Sequence, residues 1–452
     1  MKIHPSSAGH PLSSAGPVGA LAAPIVSASG RRRLLRGGLA AAGTVALAGV
    51  GCASMSGRAA PRVVVIGGGF GGTTAAKYLA MWSDRRVRVT LIDRDTSFVS
   101  CPLSNLVLGG SRTLADVTVS RDGLRARGVD VVTAEVVAID PTAREVRLAD
   151  GRSLPFDRVV VSPGVDFLYD QVPGLRAAES AGRILPAWKA GPQTLALRRQ
   201  LEAMPDGGVY ALTVPLAPYR CPPGPYERAC QVAWYFKNAK PKSKVLILDA
   251  NPDVTSKGPL FKRVWAEQYK GIVEFRGNNA LTDVDAATLT AKLQLDDVRA
   301  DVLNVVPPMR AGEIAVRAGL VNVNNRWCGV DWQTMESTAV KNVHVLGDAT
   351  LSAPAMPKSG HMANQHAKVA AAAILAMFDG NSPNPAPVVM NTCYSFTDNK
   401  SVIHVASVHQ YVADKKTFEP VAGAGGVSPG PTELEGTYGA AWATNIWADM
   451  LT

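Results

Sequence analysis

The sequence predicts an α/β fold with two Rossmann-like units, on three observations. The apolar run Arg62-Val-Val-Val-Ile66 leads straight into Gly67-Gly-Gly69-Phe-Gly-Gly72. A strand–loop–helix–strand pattern recurs over residues 208–249, and a strand ending in Gly347-Asp348 lies far downstream. The first run is short and continuously apolar, as suits a strand buried on both faces. In the GxGxxG that follows, the first glycine allows the tight turn, the second lets backbone approach a pyrophosphate, and the third packs helix on strand. The phosphate would sit at the N-terminus of a helix running to about Met81, where free N–H groups and the dipole favour anions. A strand over 87–92 then ends in Asp93, 21 residues after Gly72, the spacing of an acid for the adenosine ribose hydroxyls.

Composition leaves room for large cores. Of 452 residues 47% are hydrophobic and 19% charged, which excludes disordered, disulfide-scaffold, collagen-like and coiled-coil classes. The formal charge of +10 overstates the basicity, because Lys2, Arg31, Arg32, Arg33 and Arg36 lie in a leader without a single acid. The remainder has no Lys/Arg run of the kind that binds nucleic acid. Residues 30–36, Gly-Arg-Arg-Arg-Leu-Leu-Arg, precede a small apolar stretch over 37–51. That stretch falls short of the about 20 residues a membrane span needs. Basic, apolar and small residues in this order predict an export signal of twin-arginine type over 1–58. Cys52 also offers a lipoprotein cleavage site, although Gly49 stands where Leu is usual. The expected location is periplasmic, where disulfides are permitted.

The middle of the chain predicts a second Rossmann shell over 169–309, with strands at 208–214 and 244–249 and a helix to about Lys237. Its loop reads Pro215-Leu-Ala-Pro-Tyr-Arg-Cys221-Pro-Pro-Gly-Pro-Tyr-Glu227, with prolines where a nucleotide loop has glycines. Proline offers no N–H to a phosphate. A nicotinamide nucleotide is therefore not expected there.

Cysteines stand at 52, 101, 221, 230, 328 and 393, none spaced as CxxC or CxxCH, so neither zinc nor an attached c-type haem is indicated. Cys230 is expected to be a buried helix residue and Cys328 a buried hydrophobe. The stretch Thr338-Ala-Val-Lys-Asn-Val-His-Val-Leu-Gly347-Asp348 resembles the second FAD fingerprint of the disulfide-reductase-type flavoprotein superfamily, and Val159-Val-Val-Ser-Pro-Gly164 resembles its connecting motif. The resemblance implies FAD, held by Gly67, Gly69, Gly72 and Asp93 at one end and by Gly347 and Asp348, the latter on the ribityl chain, at the other.

A closer resemblance rests on Cys101-Pro-Leu-Ser-Asn, Arg220-Cys-Pro-Pro-Gly-Pro-Tyr-Glu-Arg228, Met356-Pro-Lys-Ser-Gly360 and Asn391-Thr-Cys-Tyr-Ser395. These stretches resemble the flavoprotein subunit of flavocytochrome c sulfide dehydrogenase over most of the chain. One local departure is Pro102, where an aromatic residue is expected. The resemblance implies sulfide oxidation to sulfur, a covalent FAD on Cys101, a redox disulfide Cys221–Cys393 with Glu227 as acid/base, and a c-type cytochrome partner carrying the haem. Cys328 remains the other candidate partner for Cys221, in a region expected to be a hairpin remote from the flavin, whereas Cys393 lies in the segment expected to cover it. Glu227 also suits the first turn of a helix on electrostatic grounds alone. Chemically the pair is apt, because hydrosulfide attacks a disulfide sulfur readily and leaves a persulfide and a thiolate.

The remaining stretches complete the organisation. A helix opening near Met356 would aim its N-terminus, with Lys358, at the flavin pyrimidine, where reduction builds negative charge. His361 and His366 on that helix do not share a face as metal ligands would, and are expected to face solvent or cap. The FAD-binding domain is assigned to 59–168 and 310–387, and a small C-terminal α+β domain to 388–452. Within the latter, 423–431 reads as a flexible loop, and Trp442, Ile446 and Met450 as a helical stripe docked on its own core or on a partner. Two competing readings are a sulfide:quinone oxidoreductase and a non-catalytic flavoprotein of a sulfur-oxidising system. The first calls for a basic amphipathic C-terminal helix, and 433–452 carry no Lys or Arg.

Overall fold

The computed structural model describes residues 59–452, which form one compact unit. The expected leader, with its arginines and Cys52, lies outside the described residues. Strand β1 (Arg62–Ile66), helix α1 (Phe70–Trp82) and strand β2 (Arg88–Asp93) make a parallel βαβ unit with Val63 opposite Val89. Val63, Val64 and Val65 are at most 2% exposed, so both faces of β1 are covered, as its unbroken apolar run requires. Helix α2 (Ser104–Gly109), strand β3 (Asp130–Thr133) and strand β4 (Arg158–Val161) follow.

The chain then leaves for a second parallel sheet. It contains β5 (Val209–Val214), helix α3 (Gly224–Ala239), β6 (Lys244–Asp249), helix α4 (Gly258–Glu267), β7 (Val273–Arg276) and β8 (Val302–Val305), in strand order β7–β6–β5–β8. Strand β9 (Val343–Val345) returns to the first sheet, whose order is β9–β4–β1–β2–β3, all parallel. Helix α5 (Gly360–Phe378) is capped by the Ser359 hydroxyl, which accepts from Met362 N at 3.0 Å, and packs along α1.

An antiparallel sheet of β10 (Val388–Phe396), β11 (Val402–Val412) and β12 (Thr417–Pro420) and helix α6 (Glu433–Leu451) complete the chain. Thr432 caps α6 through a bond from Glu435 N. Ile446 and Met450 are buried in this molecule's own core, while Trp442 packs on the rings of Tyr394 and His361. The helix is clamped to the first domain: Lys77 Nζ donates to Ala448 O at 3.0 Å, and Asp449 accepts from Tyr78, Asn364 and Lys368. The stretch 423–431 is more structured than its glycines suggest. Gly426–Val427 pairs with Val405–Ala406, and the Ser428 hydroxyl is buried beside His404 and Glu435, which supplies the partners a loop sequence hides.

Candidate active site

The glycines at 67–72 each meet a different constraint. Gly67 has φ of +95°, and a Cβ there would lie 2.3 Å from Ser162 O, so the turn tolerates no other residue. Gly69 faces open space where a ligand can approach its backbone. A Cβ at Gly72 would lie 1.8 Å from the Gly67 carbonyl oxygen, which is backbone and cannot swing aside. Gly72→Ala is therefore expected to cost about 3 kcal/mol or more and to yield protein with little bound flavin, read from the ratio of flavin to protein absorbance. Asp93 at the end of β2 accepts from Gly68 N and, at 3.2 Å, from Arg121 Nη2, a buried guanidinium that closes this end.

These residues open onto a cavity of about 490 Å³ whose wall continues through Gly347, Asp348, Cys101, Cys221, Glu227 and Cys393. Gly347 takes φ of +67°, and Asp348 Oδ1 is buried with no hydrogen-bond partner. Burial raises the Asp348 pKa, while Arg220 and Lys358 oppose that shift. An orphaned carboxylate oxygen at one place and an open glycine cradle at a helix N-terminus at another fit FAD. Gly67–Gly69 and α1 would take the pyrophosphate, Asp93 the ribose and Asp348 the ribityl hydroxyls.

Lys358 departs from expectation. Its ammonium group donates to the carbonyl oxygens of Asp348 (3.0 Å) and Thr350 and lies 3.7 Å from the Trp327 ring centroid, outside the cavity wall. A buried ammonium needs acceptors, and those carbonyls supply them, so the side chain braces the Asp348 turn from behind. Burial lowers its pKa to about 8. The histidine expectation also needs correcting. His366 is buried against Gly347 N and Met356 Sδ, and His361 lines the cavity while accepting from Thr392 N at 3.0 Å. Burial lowers their pKa values to about 3 and about 4, which keeps both neutral.

The sulfur end draws on three parts of the chain. Cys221 leaves the proline loop at φ of +60°, with its N–H donated to Lys358 O at 2.9 Å. Cys393 lies on β10, and its Sγ accepts from Asn391 Nδ2 at 3.2 Å; Asn391 Oδ1 in turn accepts from the Ser359 hydroxyl that caps α5. Glu227, in the first turn of α3, accepts from Asn105 Nδ2 and from Phe396 N, each at 2.9 Å. Burial raises its pKa against those two donors. Burial also pushes both thiols up, and for Cys221 the neighbouring Cys393 and Glu227 add to the shift. Both cysteines are free thiols in this structure. Cys101 shares the wall, with Arg220 beside it. Cys328 does not: it lies in the core on the Trp327–Cys328 strand, fully buried. Cys230 is buried on α3 and accepts from Trp265 Nε1 at 3.3 Å.

In the second sheet the proline loop folds back on its own domain. Asp249, at the end of β6 where a ribose acid would stand, accepts from Tyr226 OH at 2.7 Å and from Asn251. Tyr219 OH shares Thr255 Oγ1 with Tyr226 OH. Two buried tyrosines thus occupy the ground beside that acid, and the loop's far side faces the first cavity.

Several of these groups escaped sequence reasoning. Asn105, Arg220, Tyr226 and Arg228 lie inside stretches already singled out, but nothing local shows that they converge. Arg228, for instance, reaches Asn105 Oδ1, Asn304 Oδ1 and the carbonyls of Pro186 and Ala187. Arg121, the cavity-lining Trp188 and Lys257, whose Nζ donates to Cys393 O, had no signal in the sequence.

Fold and site together define a flavin-dependent oxidoreductase with two Rossmann-like domains. The family model "Sulfide dehydrogenase [flavocytochrome c] flavoprotein chain, central" matches residues 194–307, the flavocytochrome c sulphide dehydrogenase flavin-binding model matches 385–451, and a pyridine nucleotide-disulphide oxidoreductase model matches 61–197. The chain belongs to the family of flavocytochrome c sulfide dehydrogenase flavoprotein chains. It is 56% identical over 46 residues to the sulfide dehydrogenase [flavocytochrome c] flavoprotein chain of Chlorobaculum thiosulfatiphilum, a match covering 10% of this chain and 94% of that one. It is 24% identical over 300 residues to the mitochondrial sulfide:quinone oxidoreductase of Dictyostelium discoideum, covering 64% of this chain and 65% of that protein, just under two thirds of its length. In fold it is similar to the sulfide:quinone oxidoreductase of Aquifex aeolicus, with a TM-score of 0.70 at 18% identity over 86% of this chain and 92% of that one.

Proposed function

We propose that this protein oxidises sulfide to sulfur or polysulfide at a Cys221–Cys393 disulfide beside FAD and passes the electrons to a c-type cytochrome subunit in the periplasm. The observation that carries the reading is that Cys221, Cys393 and Glu227 share one cavity wall with the dinucleotide cradle and Asp348. When bound, FAD supplies a two-electron acceptor that can be reoxidised one electron at a time.

The chain's own part is sulfur chemistry and proton control. Hydrosulfide attacks one sulfur of the disulfide, leaving a persulfide on that cysteine and a thiolate on the other. A second hydrosulfide attacks the persulfide and leaves as hydrogen disulfide, and the cysteine departs as a thiol once a proton is supplied. Glu227 delivers that proton from its carboxyl, which burial keeps neutral above the ordinary carboxylate range. Closing the disulfide from that thiol and the remaining thiolate releases two electrons and one proton, which returns to Glu227, so each cycle joins two hydrosulfides as hydrogen disulfide and removes one electron pair. Asn391 orients Cys393, and the Lys358 carbonyl holds Cys221 through its N–H. Cys101 stands in the wall as the proposed covalent tether for FAD.

The quinone alternative draws on the fold it shares with sulfide:quinone oxidoreductase. Among the described residues no helix is long and apolar enough to cross a membrane.

An anaerobic titration of the flavoprotein tests the proposal. NADH, added first, is expected to leave the flavin band unchanged, because Tyr219 and Tyr226 fill the ground beside Asp249. Sulfide is then expected to bleach it, and ferricytochrome c to restore it. Bleaching by NADH would overturn the reading, and reoxidation by a quinone but not by cytochrome would favour the quinone alternative. A flavin that neither reagent reduces would make this a binding subunit.

A further inference from the structure

Lys257 lies outside the cavity wall and outside every recognised motif, yet its ammonium group is buried directly behind Cys393. It precedes α4 with φ of +56°, a left-handed conformation that a residue with a Cβ adopts only when its surroundings impose it. From that position Nζ donates to Cys393 O at 2.9 Å, Ser395 Oγ at 2.7 Å and Ile403 O at 3.2 Å. Those three acceptors use all three ammonium protons. The titratable groups facing it are Cys393, Glu227, Cys221 and Glu435. Burial lowers its pKa to about 8, and Cys393 opposes that fall more than any other group. Seen from the sulfur, Lys257 favours the Cys393 thiolate more than the Asn391 hydrogen bond does.

The charge balance of the chemistry gives this placement a purpose. Each hydrosulfide that opens the disulfide brings one negative charge into a buried site and leaves it on sulfur. We propose that Lys257 is a positioning residue of the sulfur chemistry: its ammonium group pins the 393–395 segment of β10 and compensates an anionic sulfur on Cys393, whether thiolate or the terminal sulfur of a persulfide. The inference rests on the reading of Cys221 and Cys393 as the working pair.

The test uses the flavin-loaded protein reduced with a phosphine. Alkylation by iodoacetamide is followed against pH, and mass spectrometry assigns each labelled cysteine. In Lys257→Gln the Cys393 midpoint is expected to rise by about 1 pH unit or more, with a smaller rise at Cys221. In Lys257→Arg it is expected to stay within about half a unit of wild type, because the charge is kept. A Cys393 midpoint unchanged in Lys257→Gln, whatever happens to the melting temperature, would overturn the proposal and leave Lys257 a purely structural brace. Should Lys257→Gln fail to fold, Lys257→Arg decides: a retained midpoint supports the charge role, and a rise of about 1 unit refutes it. No sulfide enters this measurement, so it can fail while sulfide oxidation stands, or succeed where sulfide oxidation fails.

Discussion

Cys221→Ser and Cys393→Ser proteins are expected to load FAD normally and to lose sulfide-driven bleaching by a factor on the order of 10³ or more. The substitution replaces one sulfur by a smaller oxygen at a cavity wall, so the fold has little reason to change. At Cys393 the new hydroxyl can still accept the Asn391 bond. The chemistry has no such tolerance, because a lone cysteine offers hydrosulfide no disulfide to open. Stopped-flow absorbance of the flavin band under sulfide measures the loss. Cys328→Ser is the informative control. Its sulfur is buried in the core away from the cavity, so the variant should lose about 1–3 kcal/mol of stability through an unpaired hydroxyl and bleach at the wild-type rate. If it instead loses bleaching while Cys393→Ser retains it, Cys328 is the partner of Cys221.

Glu227 carries the second large effect, and its sign depends on burial. Its folded pKa is raised above the ordinary 4.5, so the folded protein holds a proton that the unfolded chain releases. That contribution to stability is fully present below about pH 4.5 and fades as pH climbs through the raised value. Wild-type melting temperature should therefore fall across this window, and Glu227→Gln, which cannot titrate, should lack that component of the slope. The same variant is expected to lose about 10²–10⁴-fold in the rate of sulfide-driven flavin reduction, with the acidic limb of the pH profile altered. Glu227→Ala goes further, because Phe396 N and Asn105 Nδ2 both lose their acceptor, each loss costing about 1–3 kcal/mol. Equal rates in wild type and Glu227→Gln across pH would reduce Glu227 to a structural hydrogen-bond hub.

The first Rossmann unit was legible because its signals are local. A buried strand, three glycines and an acid succeed one another within about thirty residues, each required by backbone geometry close at hand. The proline loop was legible by contrast with what a nucleotide loop needs. The packing of that loop was not, since the bond from Tyr226 to Asp249 spans 23 residues and depends on how the loop returns. Lys358 and His366 were misplaced for a related reason: sequence puts them near a helix start but does not show which way a buried polar side chain turns for its partners. Lys257 is the extreme case. Its acceptors lie 136 to 146 residues away on another domain, and no pattern in its own neighbourhood anticipates them.

The clamp between α1 and α6 has a consequence for biogenesis. Gly439 and Trp442 of α6 belong to the cavity wall, and Lys77 grips a carbonyl 371 residues further along the chain. A nascent chain that has formed its glycine cradle therefore still presents an open trough. The wall of that trough is complete only after residues 433–451 have left the ribosome and docked. A complete binding wall therefore exists only at the end of synthesis, on chains whose α1 and α6 have already met.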